Sequence, residues 1–136
     1  MIIDGKEQIV GRVAAYAAKQ ALLGNTVDLY NCEEMVMSGP KKHIISEALR
    51  KRNMGGPRKG PFNSKMPDRY VKRIIRGMLP YKQARGLEAF KRVRCYMGAP
   101  DSKEKTIIVK GAHADKLPNF KYLTIGEVCA AYGWQK

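Results

Sequence analysis

Hydrophobic residues recur at a spacing of four along the first part of the chain. Ile9, Val13, Ala17 and Ala21 follow that spacing, which predicts an amphipathic helix over residues 8–23. Similar periodicity, with proline, glycine or a capping residue at the ends, predicts further helices. These span residues 40–51, 67–78, 82–92 and 124–132.

Short runs rich in β-branched and aromatic residues predict strands between the helices. They cover residues 1–3, 26–31, 35–37, 93–97 and 106–109. The link between 26–31 and 35–37 is too short for a parallel crossover between neighbouring strands. The two runs therefore pair antiparallel, are not neighbours, or form one bent strand, and the residues leave these alternatives open. Strands alternating with helices favour an α/β domain in each case.

The helix predicted over 67–78 has one apolar and one cationic face. Its apolar residues form a stripe that includes Val71 and Ile75. This amphipathic arrangement is typical of a helix that follows a phosphate backbone. A membrane-surface helix would look similar, but this stripe is short and lacks the Trp and Phe residues of such helices. Four cations occupy the complementary positions at i, i+3, i+4 and i+7: Arg69, Lys72, Arg73 and Arg76.

The positive charge of the chain is concentrated in residues 50–94. The whole chain has 26 Lys and Arg against 12 Asp and Glu, for a net charge of +14. Residues 50–94 carry +13 of this charge, whereas residues 1–49 carry −1. Because few local acids offset the repulsion, a polyanion is the partner expected for this region. A nucleic acid is therefore favoured over a merely solvated surface.

Residues 53–64 interrupt the helical pattern inside this basic region. Three glycines and two prolines there predict an irregular loop that presents Arg58, Lys59 and Phe62 to a partner.

A second candidate anion site lies at the start of the helix predicted over 40–51. The local sequence is Ser38-Gly39-Pro40-Lys41-Lys42, and we expect Ser38 or Gly39 to cap the helix. Backbone N–H groups and two lysines at a helix start can bind a phosphate, and a plain capped helix is the alternative.

Several classes of protein find little support in the sequence. The three cysteines are far apart and no segment has metal-ligand spacing, so we expect no disulfide framework, metal or cofactor. No apolar run nears the roughly 20 residues of a membrane span. The first residues also lack the features of a signal peptide. We therefore expect a soluble intracellular protein that makes no membrane contact.

Catalytic motifs are absent or weak. There are no paired carboxylates and no nucleophile or dinucleotide-binding motif, so we expect neither an enzyme nor a small-molecule substrate. Two alternatives remain open. One is an enzyme acting on nucleic acid with Asp4, Ser38 or His43 at its centre, and the other is a free RNA- or DNA-binding regulator.

The stretch from residue 77 to residue 98 resembles the signature of the large-subunit ribosomal protein L13 family. The resemblance extends in order and spacing over roughly residues 1–100. Leu87, which follows the second signature glycine, and the segment 101–136 resemble the archaeal and eukaryotic branch of that family. The matching residues are Gly77-Met78-Leu79-Pro80, Arg85-Gly86, Phe90-Lys91-Arg92-Val93, Tyr96, Gly98, and, earlier, Ile3-Asp4-Gly5, Gly11-Arg12 and Met35-Val36-Met37-Ser38-Gly39.

The resemblance implies a three-layer α/β/α fold around a small, mainly parallel four-stranded sheet. It implies one RNA-binding domain over residues 1–100, with its basic region at 50–94. A C-terminal extension over 101–136 would carry a short helix packed on or beside the core. The implied function is that of a structural constituent of the large ribosomal subunit in the cytoplasm. Its implied partners are 23S-type rRNA and neighbouring large-subunit proteins, and it would act early in subunit assembly.

Charge and resemblance together select a set of candidate RNA-binding residues. We expect them to neutralise phosphates and to recognise RNA mostly by shape, because few aromatic residues are available for stacking. The candidates are Lys41, Lys42, Arg50, Lys51, Arg52, Arg58, Lys59, Lys65, Arg69, Lys72, Arg73, Arg76, Lys82, Arg85, Lys91 and Arg92.

Overall fold

Five α-helices and six strands make up the regular structure of the part of the chain that the computed structural model describes, residues 1–100, 106–119 and 121–135. Residues 101–105, where the predicted extension begins, lie outside the described residues. The helices are α1 (Val10–Leu22), α2 (Lys41–Arg52), α3 (Pro67–Met78), α4 (Ala84–Lys91) and α5 (Ile125–Ala131). The strands are β1 (Ile2–Asp4), β2 (Val27–Tyr30), β3 (Val36–Ser38), β4 (Val93–Cys95), β5 (Thr106–Ile107) and β6 (Tyr122–Thr124).

The main sheet has four parallel strands in the order β4-β2-β1-β5. Parallel neighbours need a crossover, which α1 supplies between β1 and β2 and the helical segment α2–α4 supplies between β2 and β4. On one face of the sheet Ile3, Val27, Leu29 and Val93 are fully buried. The predicted α/β class and the mainly parallel four-stranded sheet are thereby confirmed.

The buried face of the sheet and helices α1, α3 and α4 share one hydrophobic core. It joins Leu29 of β2 to Ala17 of α1, Val71 and Ile75 of α3, and Ala89 of α4, all of them fully buried. Burying a Leu, Val or Ile side chain stabilises a fold by about 1.5–3 kcal/mol, and an alanine contributes less. The alanine-rich α1 packs closely against α3, as its small side chains allow. The core therefore holds one side of α3 inward, and its other side remains at the surface.

The two closely spaced strand runs are not neighbours, which resolves the alternatives left by the sequence. β2 lies in the main sheet, whereas β3 pairs antiparallel with β6 in a separate two-stranded ribbon. Between them Asn31 adopts a left-handed conformation with φ of 53°, and a 3₁₀ turn at Cys32–Glu34 redirects the chain. Strand β6 was not predicted from the sequence.

A second, smaller core lies between α2, β6 and α5. Ile44 and Ala48 of α2 pack with Leu123, Val128 and Tyr132. The Tyr132 hydroxyl donates a hydrogen bond of 2.7 Å to the backbone oxygen of Ala48. Both β5 and β6 lie beyond residue 105; β5 thus adds to the main sheet, and β6 forms the ribbon with β3. Helix α5 holds the C-terminal end of α2 in place.

The ends of the helices agree with the sequence in some places and differ in others. The predicted capping box at α5 is confirmed, because Thr124 Oγ1 accepts from the backbone N–H of Glu127 while Glu127 Oε2 accepts from that of Thr124. The predicted cap of α2 at Ser38 or Gly39 is wrong. Pro40 is the N-cap, with extended backbone at ψ of 134° and no side-chain cap, because Ser38 is committed to pairing with Tyr122.

Candidate nucleic-acid interface

Helix α3 separates an apolar side from a cationic side as the sequence predicts. It begins at Pro67, whose fixed φ suits the first helical position, and ends at Met78 before Leu79 and Pro80. The four predicted cations lie on the side away from the core. Arg69 and Arg73 are exposed, and Lys72 and Arg76 are half-buried. We call these four residues the α3 cationic face.

Aromatic rings support the two half-buried cations. The Lys72 ammonium lies 5.2 Å from the centre of the Phe90 ring, and the Arg76 guanidinium lies 5.2 Å from that of Tyr81. Such contacts contribute about 0.5–1 kcal/mol at exposed sites. They orient Lys72 and Arg76 along the helix surface without neutralising their charge.

A groove of about 480 Å³ runs beside the α3 cationic face, between α3 and the second half of the 53–64 loop. Arg73 Nη1 donates a 3.4 Å hydrogen bond to the backbone oxygen of Phe62. Asn63 Nδ2 donates a 2.9 Å bond to the backbone oxygen of Lys51. These two bonds attach the loop to α3 and to the end of α2. The groove is lined by Lys51, Met54, Pro61, Phe62, Asn63, Ser64, Arg69, Tyr70, Lys72, Arg73, Ile74, Arg76, Phe90 and Tyr132.

Glu47 neutralises part of the positive charge at the end of α2. The charge count over residues 50–94 did not include it, because it lies just before that range. Glu47 Oε1 lies 2.7 Å from Arg50 Nη2 and 3.5 Å from Lys51 Nζ. The hydrogen bond from Arg50 lowers the pKa of the Glu47 carboxyl to about 2. The pair is exposed, so its contribution to stability is small. Lys51 nonetheless lines the groove and adds a fifth predicted cation to it.

Two predicted cations make contacts that hold the fold together. Arg52 Nη1 donates a 2.9 Å hydrogen bond to the backbone oxygen of Tyr132 in the second core. Arg92 Nη1 donates a 3.3 Å bond to the backbone oxygen of Ala21 at the end of α1. Arg92 also lines a separate cavity together with Arg85, so these two arginines lie on another part of the surface.

The remaining candidates are spread over the surface. Lys41 and Lys42, at the start of α2, lie about 14 Å along the helix axis from Lys51 at 1.5 Å per residue. Arg58 and Lys59 project from a turn that the backbone bond from Gly60 to Gly56, 2.8 Å long, closes. The structure therefore gathers five candidates at the groove and disperses the rest. The exposed, dispersed residues are Lys41, Lys42, Arg50, Arg58, Lys59, Lys65, Lys82, Arg85 and Lys91.

The nucleic-acid enzyme alternative has three residues at its centre, Asp4, Ser38 and His43. The structure gives each of them an ordinary structural or surface position. Asp4 Oδ1 accepts hydrogen bonds from the Lys6 backbone N–H at 3.0 Å and from Asn31 Nδ2 at 2.8 Å, as a turn-forming Asp does. Ser38 is in strand β3, and His43 is exposed on α2. Within residues 1–100, 106–119 and 121–135 no group of three His, Cys, Asp or Glu residues is placed to hold a metal. None of the helices described there has the length and apolar character that crossing a membrane requires.

Sequence reasoning missed most of the aromatic lining of the groove. Tyr70, Phe90 and Tyr132 come from three different helical segments and meet only in the folded chain. Tyr70 and Tyr132 lie with ring centres 6.1 Å apart and planes tilted by 57°. Phe62 alone was recognisable beforehand, as an aromatic residue in a basic Gly/Pro-rich loop.

Tyr70 should ionise later than an exposed tyrosine when pH rises. Burial, reinforced by the nearby Tyr132 and Cys129 side chains, raises the pKa of Tyr70 to about 12. Between pH 10 and 12 the unfolded chain loses this proton first, so the free energy of unfolding should fall as pH rises through that window. Below pH 10 the group has no effect on the pH dependence. The phenolate absorbance and urea unfolding at several pH values measure both effects.

The Tyr70→Phe variant is the control for this titration. It should lack one late-ionising tyrosine and lose stability less steeply between pH 10 and 12. Ionisation of Tyr70 near pH 10 would show that the side chain is not buried as described.

The architecture and surface first define a class, that of small basic α/β proteins with a cationic flank beside an aromatic groove. The family model "Ribosomal protein L13" matches residues 1–102 of the chain. The "Large ribosomal subunit protein uL13" of Methanopyrus kandleri is 39% identical, with 98% of this chain and 87% of that protein covered. Proteins of the same name from Natronomonas pharaonis and Haloarcula marismortui are each 42% identical, with 98% and 100% of this chain and 90% and 92% of those proteins covered. The chain belongs to the ribosomal protein L13 family, and the predicted resemblance is confirmed.

Proposed function

We propose that this protein is a structural constituent of the large ribosomal subunit and binds large-subunit, 23S-type rRNA through the α3 cationic face and its groove. The observation that carries the proposal is the convergence of Lys51, Arg69, Lys72, Arg73 and Arg76 on one groove. Among the described residues, no acidic side chain lines that groove. An RNA backbone would supply the negative charge that this surface lacks.

The mechanism is binding without a chemical step. Proteins of the L13 family are structural ribosomal components, so the protein is not an enzyme and works in the cytoplasm as part of the ribosome. The apolar side of α3 is held in the core, so only its cationic side is presented to RNA. Cations there would neutralise phosphates where RNA helices approach each other, and thereby stabilise the tertiary structure of the rRNA. Because A-form grooves hide the base edges, most of the recognition would be of shape.

Further elements of the proposal concern assembly and neighbours. The core of α1, α3, α4 and the sheet is complete without RNA contacts, so the protein can present its cations to rRNA that is still folding. This supports a role early in subunit assembly. Dispersed cations outside the groove, among them Lys41 and Lys42, would reach further rRNA segments. Neighbouring large-subunit proteins would contact other parts of the surface.

Salt should weaken the binding of the full chain to a large-subunit rRNA fragment steeply. If about 6–10 phosphates are neutralised, the association constant should fall by about 10³–10⁵ between roughly 50 and 200 mM salt. The reason is that each neutralised phosphate releases condensed counterions into a solution already rich in them. Filter binding or fluorescence anisotropy over a salt series measures the slope.

A second measurement separates a ribosomal component from a free regulator. Sedimentation of cell extracts should place the protein with large-subunit particles through a moderate-salt wash and in a ribonuclease-sensitive manner. A flat salt response, or a protein that sediments alone, would overturn the proposed function.

A further inference from the structure

The groove beside α3 has the volume and the mixed aromatic and polar lining of a small-molecule site, beyond what phosphate binding requires. Its volume of about 480 Å³ falls within the range of roughly 300–1,000 Å³ typical of ligand sites. Phe62 is exposed and Tyr70 and Phe90 are half-buried along it, whereas Tyr132, which also lines it, is only 2% exposed. Cations that only track a backbone need no such apolar interior, so the lining indicates an additional binding partner for the rings.

Phe62 is the clearest sign of that partner. Its side chain is 77% exposed, the highest value among the large hydrophobic residues of the described chain. The backbone around it is nevertheless held, because Arg73 bonds the Phe62 oxygen and Asn63 bonds the Lys51 oxygen. An exposed aromatic ring on an anchored backbone does not stabilise the free protein. It is available to contact a molecule that enters the groove.

We propose that the groove holds one unpaired nucleotide extruded from the rRNA, with its base against the aromatic lining and its phosphates on Arg69 and Arg73. The inference rests on the proposed function and names the part of the RNA that this site takes. Aromatic rings stack on the faces of unpaired bases, and arginines bind the adjoining phosphates. Asn63 and Ser64 line the same groove, and although Asn63 Nδ2 is already bonded to the Lys51 oxygen, the two side chains carry further polar atoms that a base edge would need.

Paired RNA and an acidic peptide fit these observations less well. In a duplex every base is stacked between its neighbours, so its face is closed to Phe62 and only phosphates reach the protein. An acidic peptide would satisfy the cations but would leave the flat aromatic walls without a matching planar group. An extruded nucleotide satisfies the rings and the cations at once.

The experiment compares two RNAs of equal length in their binding to the full chain. One is a perfect duplex, and the other is the same duplex with a single bulged 2-aminopurine nucleotide, whose fluorescence is quenched by stacking. We expect the bulged RNA to bind about 5- to 100-fold more tightly, the effect of stacking one base, and its fluorescence to fall on binding.

Variants then assign the effect to the groove. Phe62→Leu should remove most of the preference for the bulge and leave duplex binding within about twofold. Phe62 is exposed, so its replacement does not disturb the core, and circular dichroism verifies that. The matched control is Tyr122→Leu, which removes an exposed aromatic ring outside the groove and should leave the preference intact.

The possible outcomes separate this inference from the proposed function. Equal, salt-sensitive binding of both RNAs, unchanged by Phe62→Leu, would overturn the nucleotide site and leave rRNA binding in place. Weak, salt-insensitive binding of both RNAs would instead contradict the proposed function itself. Tighter binding of an acidic peptide than of the bulged RNA would also refute the nucleotide site.

Discussion

Replacing Arg69, Lys72, Arg73 and Arg76 together with glutamine is expected to lower the affinity for a large-subunit rRNA fragment by about 10²- to 10³-fold at low salt. The reason is that four charges on one helix side contact neighbouring phosphates and release their counterions together. The slope of log affinity against log salt should become shallower by about three to four units, roughly one for each lost contact. Anisotropy titrations at several salt concentrations measure both quantities.

The helix itself should survive this substitution. The four residues lie on the surface side of α3, whereas Val71 and Ile75 on the opposite side are fully buried. Circular dichroism should therefore show unchanged helix content, and loss of that signal would mean that the side chains belong to the packing.

A variant with the same net charge provides the matched control. Lys6, Lys19, Lys110 and Lys121 are exposed and lie outside residues 50–94. Their joint replacement with glutamine removes the same four charges from other parts of the surface. This control should lose far less affinity, and equal losses would show that net charge and not the α3 cationic face governs binding.

The Gly86→Ala variant should lose about 3 kcal/mol of stability, the largest effect expected from any single methyl group in this chain. A Cβ atom at Gly86 would overlap the carbonyl group of Pro80, which is backbone and has no rotamer by which to move away. Gly86 is buried inside α4, where the chain turns back from Leu79 and Pro80. Urea unfolding followed by circular dichroism measures the change.

Gly77→Ala is the control for this steric argument. Gly77 lies in α3, and nothing within 4 Å would meet a Cβ atom there. Alanine at a helical position is favoured over glycine, so stability should rise by up to about 1 kcal/mol. Both glycines belong to the segment that resembles the family signature, yet only Gly86 has a steric reason to be glycine. Equal destabilisation by the two substitutions would contradict that distinction.

Local patterns were sufficient to predict most of the helices and the two sides of α3. The range predicted for α3, 67–78, coincides with the helix Pro67–Met78, because proline at the start and Leu79-Pro80 at the end act within a single turn. The capping box of α5 was equally predictable, since Thr124 and Glu127 interact over three residues. The cationic side of α3 follows from the same short-range geometry.

Patterns over a few residues do not carry the pairing of distant strands. Strand β3 could be assigned no partner from the sequence, because its partner β6 lies more than eighty residues further along the chain. The same applies to the start of α2, where the pairing of Ser38 with Tyr122 excludes Ser38 as the cap.

The amino-acid sequence by itself determined the α/β class, the concentration of charge in residues 50–94 and the membership of the L13 family. These properties depend on composition, on short-range periodicity and on motif spacing. Only the tertiary structure decided which cations act together. Lys51 and the α3 cationic face meet at one groove, whereas Arg52 and Arg92 hold backbone oxygens of distant segments. The aromatic interior of that groove likewise exists only after folding, because α3 and α4 share the main core, Arg73 of α3 holds the Phe62 backbone, and α5 packs against α2.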